Sequence, residues 1–465
     1  MSTASSAGIK ACGAGSSAGP GKPGQRSPAT KQEPANGIND HKKENGGTTV
    51  VAIESNRDHF SNSDLKSRLA EASMTHGPHL PDGGVTLRYL EKYVQSDLAR
   101  KMVFVGGPRQ CGKTHMAMAL LKEIGGEYLN WDDGRDRRRI RKYQFGTELP
   151  LVVFDELHKS PKWESWIKGV YDKRPADQTY LVTGSARLDV YRRGGDSLLG
   201  RYHYWRMHPF TLDEAVEGIT PQVALNRLMT VGGFPEPFLS LDEAEAARWR
   251  RERFDRILRD DVRDLENVRL LSTLSALADL LKERVSSQIS YANLAADLEV
   301  APKTIRHWID LLARMYMIFV VLPFTGKLTR AIQRPPRIYF YDNMDVETPP
   351  DKLLGARFEN LIATHLLKRL QFLEDKTGER LALHYLRDRD QREVDFVITK
   401  KKEVVELIEV KYSDEAPSAS LRHYAKVLKP KRAVQVVYTL GRGFTKDGIE
   451  VLSPIEYFSN PPWAT

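Results

Sequence analysis

Short, almost wholly apolar runs alternate with amphipathic and charged stretches through the first half of this chain. Residues 103–105, 128–131, 151–154 and 180–183 are too short for helices and read as buried strands. Between them, 115–122 and the charged 132–142 read as helices. Residues 213–264 are helical in pattern, and the Arg-dense WRRERFDRILRDDVRD within them alternates in sign, as a solvated face laced with ion pairs does. A helix over 291–297, a short turn and a second helix opening at Pro302 then make a helix-turn-helix, with Leu294, Leu298, Ile305 and Ile309 spaced to pack together. Runs at 317–322, 327–337 and 338–341 predict strands and a basic wing. A helix over 355–370 and two strands, in REVDFVI and LIEVKYS, close the chain. Residues 1–80 hold few apolar residues and no lasting period, which predicts a disordered tail. Met74, just before the first element at 87–98, is a candidate alternative start of translation. The expected divisions are 1–80 tail, 85–212 a first α/β core, 213–275 helical lid or connector, 276–345 winged helix-turn-helix and 350–465 a second α/β domain.

The strand at 103–105 runs into GGPRQCGKT, where Gly107, four residues, Gly112, Lys113 and Thr114 meet the separate demands of a phosphate loop. Glycine lets the backbone turn its N–H groups toward phosphate oxygens, Lys113 adds a point charge, the Thr114 hydroxyl can ligate Mg²⁺, and the following helix N-terminus favours the anion. LVVFDE supplies the matching half. Asp155 is the candidate for the Mg²⁺ shell and Glu156 for the base that deprotonates water. Thr183 and Ser185, ending a strand expected between the other two, are candidates for sensing the γ-phosphate or capping a helix. Arg201 is a candidate arginine finger, within the chain or across a subunit interface, or else a surface ion pair. ATP and Mg²⁺ are the expected cofactors.

Composition narrows the setting. A net charge of +9 and a pI near 9.2 suit a nucleic-acid partner, although 70 basic residues stand against 61 acidic ones. Two cysteines, Cys12 and Cys111, offer no disulfide framework, which points to a reducing compartment. The strongest apolar run, 315–324, is about half of what spans a bilayer. With no apolar signal segment at the start, the protein is expected in the cytoplasm and off the membrane.

The series VFVGGPRQCGKT, YLNWDD, LVVFDE, LVTGSARL, GDSLLGRYHYWRMHPFT and GGFPEPF resembles a prokaryotic family of AAA-type ATPases with a winged helix and a restriction-endonuclease-like C-terminal fold. The resemblance spans about 85–460. It implies an α/β P-loop NTPase with a central parallel sheet, followed by a winged helix-turn-helix and a second α/β, endonuclease-like domain. It also places Ser185 and Arg201 on matching motif positions. His115 stands where a small or hydroxyl residue is commoner, which leaves phosphate binding intact.

Two later constellations carry chemistry. Lys303, Thr304, Arg306 and His307 would line the exposed side of a recognition helix, and Lys327, Arg330, Arg334 and Arg337 a basic wing; the partner is then DNA, or the module only joins domains. In the last region Asp395 precedes Glu409 and Lys411, which share one strand face because side chains repeat every second residue. Two carboxylates can hold Mg²⁺ and the lysine can orient water. With Glu359 on the preceding helix, the set is similar to the PD-D/E-x-K nuclease pattern. Two functions follow as expectations: an ATP-driven machine on DNA that also cuts, or a nucleotide switch that binds a protein partner through an inert nuclease-like fold.

Overall fold

The structure, a computed structural model, describes residues 88–464 apart from 186–197, 215, 241, 262–270 and 326–333. The predicted tail, Lys327 and Arg330 lie outside the described residues. The all-apolar runs become the core of a five-stranded sheet in the order β2-β3-β4-β1-β5. Its strands are β1 (Met102–Gly106), β2 (Gly126–Asn130), β3 (Leu151–Asp155), β4 (Thr179–Gly184) and β5 (Tyr202–Arg206), all paired in parallel. Parallel strands need crossovers. These include α2 (Lys113–Ile124), α3 (Gly134–Arg141) and α4 (Trp163–Asp172), while α1 (Glu91–Leu98) precedes β1. β1, β3 and β4 are buried throughout, apart from Thr179 at the start of β4.

Helices α5 (Pro221–Thr230), α6 (Pro235–Ser240), α7 (Glu243–Arg256) and α8 (Leu271–Lys282) form the connector. The helix-turn-helix follows as α9 (Tyr291–Asp297), capped by Ser290, and α10 (Pro302–Arg314), with Leu294, Ile305 and Ile309 in its core.

The expected division between wing and C-terminal domain does not hold at the level of the sheet. β6 (Ile318–Pro323) and β7 (Arg337–Phe340) form an antiparallel pair, and β6 also pairs in parallel with β8 (Leu381–Arg387). The strands of the wing are thus the edge of one eight-stranded sheet, ordered β12-β13-β11-β10-β9-β8-β6-β7. Its other members are β9 (Glu393–Lys400), β10 (Glu403–Lys411), β11 (Arg432–Val437), β12 (Phe444–Lys446) and β13 (Ile449–Leu452). Burying the apolar face of β6 and β7 against a larger sheet gains more than leaving a two-stranded hairpin in water.

α11 runs from Pro350 to Thr377, 28 residues, and so spans about 42 Å. It is longer than the period predicts because its second half docks on the nucleotide-binding sheet. Arg206 pairs with Glu374 and Asp375, each at 2.7 Å. His208 Nε2 meets Gln371 Oε1 at 2.7 Å, and Arg369 pairs with Asp213 at 2.7 Å. The Leu212 N–H donates to His365 Nε2 at 2.7 Å, a bond that requires neutral imidazole; burial, the largest influence on the ring, drops its pKa to about 4. Among the described residues no helix is long and apolar enough to cross a membrane.

Candidate active site

β1 ends at Gly106, and the chain must turn sharply before α2. A Cβ on Gly107 (φ 154°) would lie 2.2 Å from the Met207 carbonyl oxygen, and one on Gly112 (φ 99°) would lie 2.7 Å from Arg88 Nη1. Both positions therefore require glycine. Lys113 is buried at the start of α2, and its Nζ donates to the Gly107 and Pro108 carbonyls at 2.9 and 2.6 Å. The ammonium is held under the loop, where an anion would meet it.

The register of β3 and β4 puts Asp155 opposite Thr183, and Thr183 is opposite Val105 of β1. Asp155 is buried and accepts three hydroxyl bonds: from Thr114 at 3.0 Å, Tyr128 at 2.5 Å and Thr183 at 2.6 Å. Thr114 and Asp155 thus present two hard oxygens at the mouth of the loop, a donor set that fits Mg²⁺, which takes one or two protein ligands and completes its shell with phosphate and water. Ser185 is buried just past the end of β4, at the same sheet edge.

Glu156 sits in a left-handed conformation (φ 55°), its N–H tied to the Thr183 carbonyl at 2.9 Å. Its Oε2 is buried and accepts no hydrogen bond, standing 3.5 Å from both His158 Nε2 and Lys159 Nζ. Burial, and then the Asp155 charge, raise its pKa above the ordinary carboxylate value. A carboxylate with a free lone pair and raised basicity can take a proton from water.

Arg201 does not join this group. It lies just before β5, whose first residue pairs with Met102, whereas the phosphate loop follows the far end of β1. Five strand residues, about 16 Å, intervene. Its guanidinium makes an exposed ion pair with Asp172 at 2.7 Å. The within-chain finger is thereby corrected: strand direction puts Arg201 on the wrong edge of the sheet.

Sequence reasoning missed Tyr128, whose hydroxyl reach leaves no mark on a strand period, and a buried charge relay behind the loop. Arg88 donates to the Cys111 carbonyl inside the phosphate loop, to the His208 carbonyl at 2.6 Å and to Glu214 at 2.7 Å. Glu214 in turn receives Lys368 of α11 at 2.5 Å, and Lys368, wholly buried, also donates to Thr211 at 2.8 Å. Against burial, which would raise it, Arg88 and Lys368 hold the Glu214 pKa down to about 2.

A second cluster forms where β7, β9, β10 and α11 meet. The structure does bring Glu359, Asp395, Glu409 and Lys411 together: Asp395 accepts the Val410 N–H at 2.9 Å, and Lys411 pairs with Glu409 at 2.8 Å. Burial, and then the Asp395 charge, push the Glu359 and Glu409 pKa values up. A cation of the chain's own stands in this cluster as well. Arg337, assigned by sequence to an exposed wing, is 4% exposed and stands among these carboxylates. Its Nη1 lies 3.2 Å from Glu359 and 3.4 Å from Asp395, and its Nη2 pairs with Glu393. Tyr339 adds a hydroxyl to Glu359 at 2.8 Å. Among the described residues no group of three or more carboxylate, histidine or cysteine side chains is disposed to hold a metal ion. The guanidinium supplies positive charge beside Glu359 and Asp395, whereas Glu409 Oε2 is buried and accepts no hydrogen bond among the described residues.

On α10, Lys303, Arg306 and His307 are exposed and Thr304 is half-buried; Arg306 lies over the Tyr291 ring at 4.9 Å. Of the predicted wing cations, Arg334 is exposed and Arg337 is the buried residue just described.

Residues 99–216 match an AAA domain family, 222–343 a domain of unknown function (DUF8612) and 354–458 another domain of unknown function (DUF4143). The phosphate-loop part of the chain is thus similar to AAA domains. An uncharacterized protein of Mycobacterium tuberculosis is 25% identical over 244 residues, covering 52% of this chain and 54% of that relative. One of Methanocaldococcus jannaschii is 22% identical over 347 residues, covering 64% and 72%. The chain spans about half the length of the mycobacterial relative it matches. Among solved structures, the Aeropyrum pernix ORC1 protein in complex with DNA shares 13% identity at a TM-score of 0.30, over 59% of this chain and 94% of that one. The JCV helicase shares 17% at 0.20, over 40% and 57%.

Proposed function

We propose that the chain binds ATP with Mg²⁺ at the phosphate loop and hydrolyses it, that it works with DNA, and that its C-terminal α/β part is a binding platform that does not cleave. The observation that carries the first part is the single carboxylate of Asp155 held by the Thr114 and Thr183 hydroxyls beside the buried Lys113. In this reading Gly107 to Thr114 cradle the phosphates, Lys113 balances charge on the transferring group, and Glu156 draws the proton from water. Ser185 orients that water or the γ-phosphate. Bound Mg²⁺ supplies charge neutralisation at the phosphates. Arg201 enters only from a neighbouring subunit of a homo-oligomer. The test is Mg²⁺-dependent release of phosphate from ATP by the purified chain. Absence of both ATP binding in calorimetry and phosphate release above buffer would end the reading.

The DNA contact is assigned to the exposed Lys303, Arg306 and His307 of α10, with Thr304 beside them. The non-cleaving platform rests on Arg337 among Glu359, Asp395 and Glu393. Supercoiled DNA should stay intact with the protein in Mg²⁺ or Mn²⁺. Nicking that disappears in Asp395→Ala would restore a nuclease with Asp395, Glu409 and Lys411 in its centre and leave the platform without support.

A further inference from the structure

The segment from β2 through α3 carries a charge imbalance that the ATP site does not use. Every acid in it is engaged. Glu127 pairs with Arg139, Asp132 with Lys159, Asp133 caps the α3 backbone at Arg135 and Asp136, and Asp136 accepts the Asn130 N–H at 3.0 Å. Of the cations from Arg135 to Lys142, Arg139 alone forms an ion pair among the described residues; Arg137 is half-buried and Arg141 lies over the Trp131 ring at 5.2 Å. Arg135, Arg138 and Lys142 are exposed, and among the described residues none of them forms an ion pair. Their i, i+3, i+7 spacing sets them on one face, opposite the buried Ile140. A helix face whose cations form no ion pair among the described residues is complementary to a polyanion.

At the end of this face stands Tyr143, 61% exposed, with its ring stacked on Trp166 at 5.5 Å and 28°. It is among the few large apolar side chains left exposed, and its φ of 55° is one that a bulky residue adopts at a cost. A supported aromatic face next to a row of cations is what stacks a base while the backbone phosphates are neutralised. We propose that the outer face of α3, ending in Tyr143, docks single-stranded nucleic acid. A duplex keeps its bases stacked inside and has no use for Tyr143. The surface is also wired to the chemistry: Asp132, at the foot of α3, holds Lys159, whose ammonium lies 3.5 Å from Glu156.

The inference draws on the ATPase reading only for a control. A labelled oligothymidylate is titrated by fluorescence anisotropy at several salt concentrations into the full chain and into Arg135→Gln/Arg138→Gln/Lys142→Gln. The variant should bind at least about tenfold more weakly at moderate salt, with a log–log salt slope shallower by about 2, from three lost contacts at roughly 0.7 each. Tyr143→Ala should weaken binding by about fivefold to a hundredfold at every salt concentration, the worth of one stacked base. Should the triple variant misfold, this loss of one exposed ring carries the comparison. The basal ATPase rate without nucleic acid should be unchanged in both variants. An absent basal rate in the parent would count against the ATP site, whereas strand binding equal in parent and variants would overturn the α3 surface. So would affinity for duplex without affinity for single strand, or binding that the variants lose only toward vesicles containing phosphatidylserine.

Discussion

Replacing Glu156 by glutamine should lower the ATP turnover number by about 10²–10⁴-fold while leaving nucleotide binding close to that of the parent. The substitution keeps the side chain's size and its place between His158 and Lys159 but removes the lone pair able to accept a proton. Because burial and then Asp155 raise the carboxylate's pKa, the parent should show an acid limb in kcat displaced upward from the ordinary glutamate value, activity appearing as pH rises through it. That limb should vanish with Glu156→Gln. The raised pKa also means that the charged form is disfavoured by the fold, so the neutral glutamine should not lower the thermal midpoint. Turnover within a few-fold of the parent, with the acid limb intact, would assign the proton transfer to another group.

The largest effect on stability should come from Glu214→Ala, at about 3–5 kcal/mol, the cost of leaving buried charges uncompensated. Glu214 is the common partner of Arg88 and Lys368, both almost wholly enclosed, and no other carboxylate pairs with either among the described residues. Lys368→Met should cost less, because the Arg88 pair survives. The sign of the pH dependence follows from the depressed pKa. Stability from this carboxylate is fully present above the unfolded value of 4.5 and is lost as pH falls through about 2. Since Arg88 also holds the Cys111 carbonyl, ATP affinity should fall together with stability. Denaturation with urea measures the first and calorimetry the second. A loss no larger than the roughly 0.5 kcal/mol of an ordinary surface change would show that the relay adds nothing.

The sequence was most readable where chemistry and local geometry coincide. The glycines, Lys113 and Thr114 follow one another along the chain, and the Asp155 and Glu156 pair ends an unbroken apolar run, so both could be found without knowing the sheet order. The turn between α9 and α10 was legible for the same reason, with Pro302 opening a helix whose apolar spacing is regular. Direction and depth were not legible. Arg201 looks like a finger until the parallel pairing of β5 with β1 sets it at the opposite edge. Arg337 reads as one more wing cation, because a strand residue's face follows from the sheet it joins, and β7 joins a sheet built mainly from residues that come later in the chain. Pattern alone gathered Glu359, Asp395, Glu409 and Lys411 correctly but gave no sign of the guanidinium among them. Tyr128 and Lys368 act through the tips of long side chains, which periodicity does not register.

The second half of α11 also sets a clock on synthesis. Glu214 leaves the ribosome 154 residues ahead of Lys368, and Arg206 leaves 169 residues ahead of Asp375. At about 5–20 residues per second, the ATPase sheet waits roughly 8–30 s for the helix that completes its charge pairs. Through that interval a nascent chain can already hold its phosphate loop in outline, with Arg88 on Glu214, but Arg206 still faces water. Ribosome-bound chains stalled before and after residue 377 should therefore differ in protease resistance within the first lobe, although the amino acids of that lobe are the same in both.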